Sequence, residues 1–377
     1  MDMSKQMNLS LSNTESHLNG HGSVVVDFIP PDILMTGGER RLMEIVIDIS
    51  FNFIISFTGI FTNVIVITVF TKQGFKDSVN ISMTTIAAWD LVKSLGGAMQ
   101  RMSGPIGLWS PSAAQSWSNI CLVIFNYLVS FATYVTSVLA AYVAVERCLC
   151  VMMPLKVKWL LTPTVSFVIC GMVSFVVFGC FAVIFGIYDI VWVWDSRYNA
   201  SIAIYQYNEF STVHSVALFA YYNLSGTLWP LISLVIIVIS AVIISAKLRE
   251  ASKFRSQHHT GGTAKPTKHD NSGSDKAKKT KPITNRDQKV VKMLLVIIVL
   301  YIVNLSPRVA HYLAKYFIQE YYYLRQYHNL ASAMAYIVFF FDYLNGTVGL
   351  FVFLSMSSSF RATYKQTFPL CTFHFKK

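Results

Sequence analysis

At 377 residues, with 54% hydrophobic and only 13% charged side chains, the chain has too few charges to clothe a soluble surface. That excludes a soluble protein of two or three domains and makes lipid the solvent for much of its exterior. The net charge of +12 is concentrated between positions 247 and 292, where thirteen Lys and Arg face four Asp and Glu. Because apolar runs flank that patch on both sides, it reads as a cytoplasmic loop at a membrane rather than a nucleic-acid surface.

Residues 1–44 are polar and irregular, an extracellular tail with one glycosylation triplet at Asn8-Leu-Ser10. They show no secretory signal pattern, so the first span is expected to act as its own insertion signal. Seven runs are long enough to cross a hydrocarbon core, at about 45–70, 79–99, 120–145, 163–187, 213–246, 290–314 and 329–354. The expected fold class is therefore an all-α membrane protein, a seven-transmembrane-helix bundle over 45–356. Placing the N-terminus outside puts twenty-two of the thirty-one Lys and Arg in cytoplasmic pieces, which sets the orientation as N-out, C-in in the plasma membrane.

Between the fourth and fifth runs, Val191-Trp-Val-Trp194 and Ile202-Ala-Ile-Tyr-Gln-Tyr207 alternate with period two, predicting a β-hairpin in the second extracellular loop. A second glycosylation triplet, Asn199-Ala-Ser201, lies in that loop. The loop at 247–289 is rich in Lys, Ser, Thr and Gly and cannot bury a core, although its ends read as helical continuations of the fifth and sixth spans. After the seventh span, Ser357-Ser-Ser-Phe-Arg361 with Tyr364 and Phe368 predicts a short amphipathic juxtamembrane helix in 357–377. Beyond it, Cys371 is either a palmitoylation site or a plain tail cysteine.

Ionisable groups inside spans carry the chemistry, because each is expensive there without a partner. Asp90 sits mid-span, and Asn63, Thr136 and Asn345 occupy positions that converge on it. Together they read either as an ion- or water-filled switch site, with sodium the candidate cation near Asp90, or as a structural hydrogen-bond network. Lys93, one turn from Asp90, and Asp342 in the seventh span are expected to pair, as the floor of a ligand pocket or as a structural ion pair. Arg308 follows Pro307, whose bend would turn a guanidinium into the cavity beside Tyr222, His311 and Tyr312, suited to an anionic ligand group. The alternative for Arg308 is a snorkelling cation. The third apolar run ends on Glu146-Arg147, a charge pair at the lipid–water boundary that can be locked or released cheaply. The chain has no His-Glu-x-x-His, no Gly-x-Ser-x-Gly and no phosphate-cradling loop, so no enzyme is expected.

Seven spans bearing these residues resemble a rhodopsin-like G-protein-coupled receptor over roughly 57–368. The resemblance is carried by Thr62-Asn63-x-x-Val66, Ala87-Ala-x-Asp90 and Glu146-Arg147-Cys148 followed by Pro154. Pro230, Pro307 with Tyr301, and Asn345-Gly-Thr-Val-Gly-Leu-Phe-Val-Phe353 leading to Phe360-Arg361 complete it. Leu305 stands in place of that family's tryptophan, and Gly349-Leu350-x-x-Phe353 in place of Asn-Pro-x-x-Tyr. The resemblance implies ligand contacts at Lys93, Arg308, Tyr312 and Asp342, and a G-protein cleft opened when Arg147 leaves Glu146. It also implies a disulfide from Cys121, for which Cys180 is the conceivable partner because the second outer loop lacks a cysteine. Glu-Arg-Cys-Leu-Cys-Val-x-x-Pro-Leu-Lys-Val-Lys looks like the divergent chemosensory and neuropeptide-type receptors of invertebrates, molluscs especially. Expected partners are a heterotrimeric G protein, an extracellular small-molecule or peptide ligand and membrane lipids, with no nucleic acid. The rival class is a multispanning transporter or channel whose charges line a permeation path.

Overall fold

A computed structural model describes residues 14–18, 24–28, 31–153, 157, 159, 161–260, 285–323 and 325–369. Asn8, Pro154, Cys371 and the middle of the basic loop lie outside these residues. The strands β1 (Thr14–Leu18) and β2 (Val24–Phe28) pair antiparallel. The tail is thus not wholly irregular, and the β-branched run Val24-Val-Val supplies the propensity.

The long helices are α1 (Gly37–Gln73), α2 (Ser78–Arg101), α3 (Pro111–Met152), α4 (Pro163–Cys180), α5 (Ser215–Thr260), α6 (Asn285–Phe317) and α7 (His328–Met356). Among the described residues, six are long and apolar enough to cross a membrane; α2 is the exception. At 24 residues α2 spans about 36 Å. Its Ser, Thr, Gly and charged side chains lower its hydropathy, and it places Asp90, Lys93, Ser94 and Arg101 in the interior.

The helices close a ring in which α1 packs on α2, α2 on α3, α3 on α5, α5 on α6, α6 on α7 and α7 on α1, with α4 outside against α2 and α3. The outward face of α4 is apolar, with Phe167 70% and Phe175 82% exposed, a surface that only lipid would cover cheaply. Hydrogen bonds that hold α4 in place include Trp89 Nε1 to Ser174 Oγ at 2.9 Å and Tyr142 Oη to Ser166 Oγ at 2.9 Å.

The third helix is the pillar. It is longer than its apolar run, starting at Pro111 under a Ser110 cap and passing Arg147 to end at Met152. Proline at a first helical position loses nothing, since that N–H has no partner in a helix anyway. Gly74 ends α1 at φ 83°, the left-handed turn that glycine adopts without steric cost.

Between α4 and α5, β3 (Tyr188–Asp195) and β4 (Ala200–Tyr207) form a two-stranded antiparallel sheet, with Val191 opposite Ile204 and Val193 opposite Ile202. It is pinned to α3 at Ala203, whose carbonyl accepts from Asn119 Nδ2 at 2.8 Å and whose N–H donates to Ser116 Oγ at 3.1 Å. Tyr127 and Tyr188 hydroxyls lie 2.9 Å apart beside this anchor. Asn199 sits exposed in the hairpin turn at φ 48°. After α7, α8 (Ser358–Thr367) turns along the bundle, anchored by buried Phe360, whose ring lies 5.3 Å from both Phe70 and Phe353.

Candidate functional site

Towards the hairpin end, α6 and α7 meet through Arg308 and Asp342, which are 2% and 3% exposed. The guanidinium Nε donates to both carboxylate oxygens at 3.2 and 3.1 Å, and Nη2 closes the fork on Oδ2. Above this pair lies a tyrosine floor. The Arg308 guanidinium sits 5.4 Å from the Tyr134 ring and 5.8 Å from the Tyr312 ring, and Tyr134 Oη donates to Tyr312 Oη at 2.7 Å. Tyr222 packs edge-on against Tyr127 at 5.8 Å. His311 Nδ1 lies 2.9 Å from the Tyr321 hydroxyl.

One turn past Tyr312, Lys315 is ringed by Tyr312, Tyr322 and Tyr323 at 5.4, 5.4 and 4.5 Å, and no carboxylate among the described residues pairs with it. Between α6 and α7, burial pushes the phenols of Tyr321 and Tyr322 up to about 12, so both remain neutral hydrogen-bonding groups at ordinary pH.

Midway down the bundle, Lys93 Nζ donates to Asp90 Oδ1 at 2.6 Å, with the lysine fully buried and the aspartate 4% exposed. Two small cavities flank them. One, of about 40 Å³, is lined by Asn63, Asp90, Tyr301, Asn345 and apolar neighbours. The other, of about 10 Å³, touches Lys93, Thr136, Asn304, Asp342 and Asn345. Asn304 Nδ2 reaches Asn345 Oδ1 at 3.4 Å, joining α6 to α7 at this level.

At the opposite end, Glu146 is 1% exposed and sits between two helices. Arg147 Nη2 donates to its Oε1 at 2.5 Å, the Ser78 hydroxyl of α2 donates to the same oxygen, and Ser82 Oγ reaches Oε2 at 3.4 Å. Arg147 is 8% exposed and its Nε has no hydrogen-bond partner among the described residues, which hold the guanidinium through Nη2. Between this end and Asp90 lies an apolar layer of Val66, Val69, Phe70, Met83, Ile86, Leu139 and Val143.

A charged, tyrosine-lined cluster beneath a hairpin, a buried polar midsection and an acid–arginine pair at the far end are thus stacked within one helical bundle. The family model of the serpentine-type seven-transmembrane G-protein-coupled chemoreceptor Srw matches residues 50–371. The chain belongs to that family. No curated protein sequence matches it.

The Srw frame brings most of the sequence-selected residues together but re-pairs them. Lys93 and Asp342 line one cavity yet do not bond: Lys93 takes Asp90 on its own helix, and Asp342 takes Arg308. An (i, i+3) partner is already within reach, whereas a partner on another helix depends on the crossing. Arg308 is buried and does not snorkel. Thr136 donates to the Thr133 carbonyl at 3.0 Å and Asn63 to the Gly59 carbonyl at 2.8 Å, so neither side chain bonds Asp90.

The Cys121–Cys180 disulfide is absent. Cys121 is buried in α3 with its thiol 3.8 Å from the Met99 carbonyl, and Cys180 is exposed at the end of α4; both are free.

Sequence reasoning missed a further ion pair, buried Arg101 with half-buried Asp48. Arg101 Nε also donates to the Asp48 carbonyl at 2.8 Å, and Nη1 donates to Gly97 O and Tyr343 Oη at 3.1 Å each. This fixes the irregular π-turn of α1 (Glu44–Asn52) onto α2 and α7. The signal was an aspartate inside an apolar span, which requires a partner.

The close approach of Tyr343 depends on Gly97, where an added Cβ would fall 2.5 Å from the ring Cζ and 2.7 Å from the hydroxyl. The Arg101 guanidinium, 5.1 Å from the same ring, leaves it nowhere to go. Gly97→Ala is therefore expected to cost about 1–3 kcal/mol. A lowered thermal midpoint of the detergent-solubilised receptor, against a Gly171→Ala control that is not lowered, checks this; a Cβ at Gly171 meets nothing within 4 Å.

Proposed function

We propose that this Srw chemoreceptor is a rhodopsin-like, divergent invertebrate-type receptor of the plasma membrane that binds an extracellular small molecule or neuropeptide and activates a heterotrimeric G protein. With the N-terminus outside, the β3–β4 hairpin covers the ligand entrance and the α5 and α6 extensions lie in the cytoplasm. Asn199, exposed in the hairpin turn, is the glycosylation site that this orientation favours.

The observation that carries the reading is the division of the bundle. Charged and hydroxyl groups gather beneath the hairpin, while an apolar layer separates them from Arg147 at the far end. A ligand that favours one helix arrangement shifts a pre-existing equilibrium without opening a path. A transporter or channel would need that layer to open into a continuous water-filled path, and in this arrangement it interrupts one.

The geometry also narrows the ligand contacts. Arg308 already has its carboxylate, so an acidic ligand group meets Lys315 first, among Tyr312, Tyr322 and Tyr323. Tyr222 and His311 border the same space. Displacing Asp342 from Arg308 would loosen α6 from α7 just beyond Pro307, and α6 would swing there to open the cytoplasmic cleft.

The test is G-protein activation in cells expressing wild type or Arg147→Ala, across a panel of acidic small molecules and short peptides. Ligand-dependent turnover in wild type and none in Arg147→Ala is expected. Ion currents from the wild type without G-protein turnover would establish the transporter or channel reading instead.

A further inference from the structure

A carboxylate as deep as Asp90 requires a counter-charge, and the polar groups around it would suit a small cation such as sodium. The cavity beside it, about 40 Å³, has room for one. Size therefore does not exclude an ion. Charge does. Lys93 Nζ stands 2.6 Å from Asp90 Oδ1, fully buried, so an ion entering here would meet a fixed like charge in a medium that screens poorly.

The oxygens nearby are neutral and cannot offset that charge: Asn345 Oδ1 accepts from Asn304 Nδ2 at 3.4 Å, while the Thr136 hydroxyl and the Asn63 amide donate within their own helices and keep lone pairs that only a site without the lysine charge could use.

We propose that Lys93 is a covalently tethered counter-ion for Asp90, so that the inner polar network of this receptor takes no sodium ion. Both residues lie on α2 three positions apart, so movements of α6 or α7 cannot pull them apart as they could a pair spanning two helices. The midsection thus keeps a neutralised carboxylate in every helix arrangement and in every salt. Ligand binding acts on Arg308 and Asp342 above it, and the inference stands whatever the ligand is.

The experiment is thermal unfolding of the purified full-length receptor in detergent at pH 8, in sodium chloride against choline chloride at equal ionic strength. Wild type is expected to melt at the same temperature in both salts. Lys93→Met, which keeps the length and loses the charge, is expected to melt lower in choline and to regain a few degrees specifically with sodium, as a bound ligand stabilises the folded state. Lys93→Met/Asp90→Asn should lose that sodium effect. A sodium-specific rise in wild type overturns the proposal, as does a folded Lys93→Met that gains nothing from sodium. Should Lys93→Met alone fail to fold, recovery of the fold in Lys93→Met/Asp90→Asn supports the tethered charge, and failure of both variants overturns it.

Discussion

Asp342→Ala is expected to destabilise the receptor by about 3–5 kcal/mol, the usual cost of stranding one member of a buried ion pair. Arg308 is 2% exposed, its fork is engaged twice by one carboxylate, and the tyrosine rings around it offer π-faces but no negative charge. Removing Asp342 leaves the guanidinium in a low-dielectric interior with nothing to neutralise it, because Lys93 already holds Asp90. The loss should appear as a fall in the thermal midpoint of the detergent-solubilised receptor and in the amount reaching the cell surface. Arg308→Lys is expected to fall between wild type and Asp342→Ala, since an ammonium keeps the charge but neither the bidentate fork nor the planar stacking. The double variant Arg308→Met/Asp342→Leu should recover most of the stability, because the penalty belongs to the unpaired charge and apolar replacements of similar volume pack well. If the double variant is as unstable as the sum of the singles, the pair's worth lies in packing and not in neutralisation.

This pair shows where sequence reasoning reaches and where it stops. The depth of Arg308, Asp342, Asp90 and Lys93 was legible from their positions within apolar runs, and so was the need for partners. The choice of partner was not, because it depends on which faces of α2, α6 and α7 meet. One clue was available. Asp90 and Lys93 are one helical turn apart, a spacing that pairs without any tertiary information. Asp48 and Arg101 escaped notice because the hydropathy boundary placed the arginine beyond its span, whereas α2 runs on to Arg101. The third span erred in the same way at both ends. An apolar window detects what lipid covers, but helix length is set by caps and packing, here Ser110 at one end and the buried Glu146 and Arg147 near the other. The juxtamembrane helix was readable because the amphipathic spacing that buries Phe360 is local.

The contact at the far end predicts a change in signalling more than in stability. Glu146 holds Arg147 while it is itself held by Ser78 and Ser82 of α2, so the arginine is tied through the acid to a neighbouring helix. Glu146→Gln retains a similar shape and an acceptor for the serines but removes the charge from the Arg147 contact. A hydrogen bond to a charged group is worth about 1.5–3 kcal/mol. If G-protein binding requires Arg147 to leave Glu146, removing that hold from the resting arrangement alone should raise the active fraction about tenfold or more. Ligand-independent nucleotide exchange on the G protein, normalised to surface receptor, reads this directly. Arg147→Ala should do the opposite, abolishing turnover in the presence or absence of Glu146, if the released arginine is, as proposed, the group that meets the G protein. Should Glu146→Gln instead lower basal exchange while folding normally, the acid would be part of the coupling surface rather than its latch, and the direction assigned to the switch would reverse.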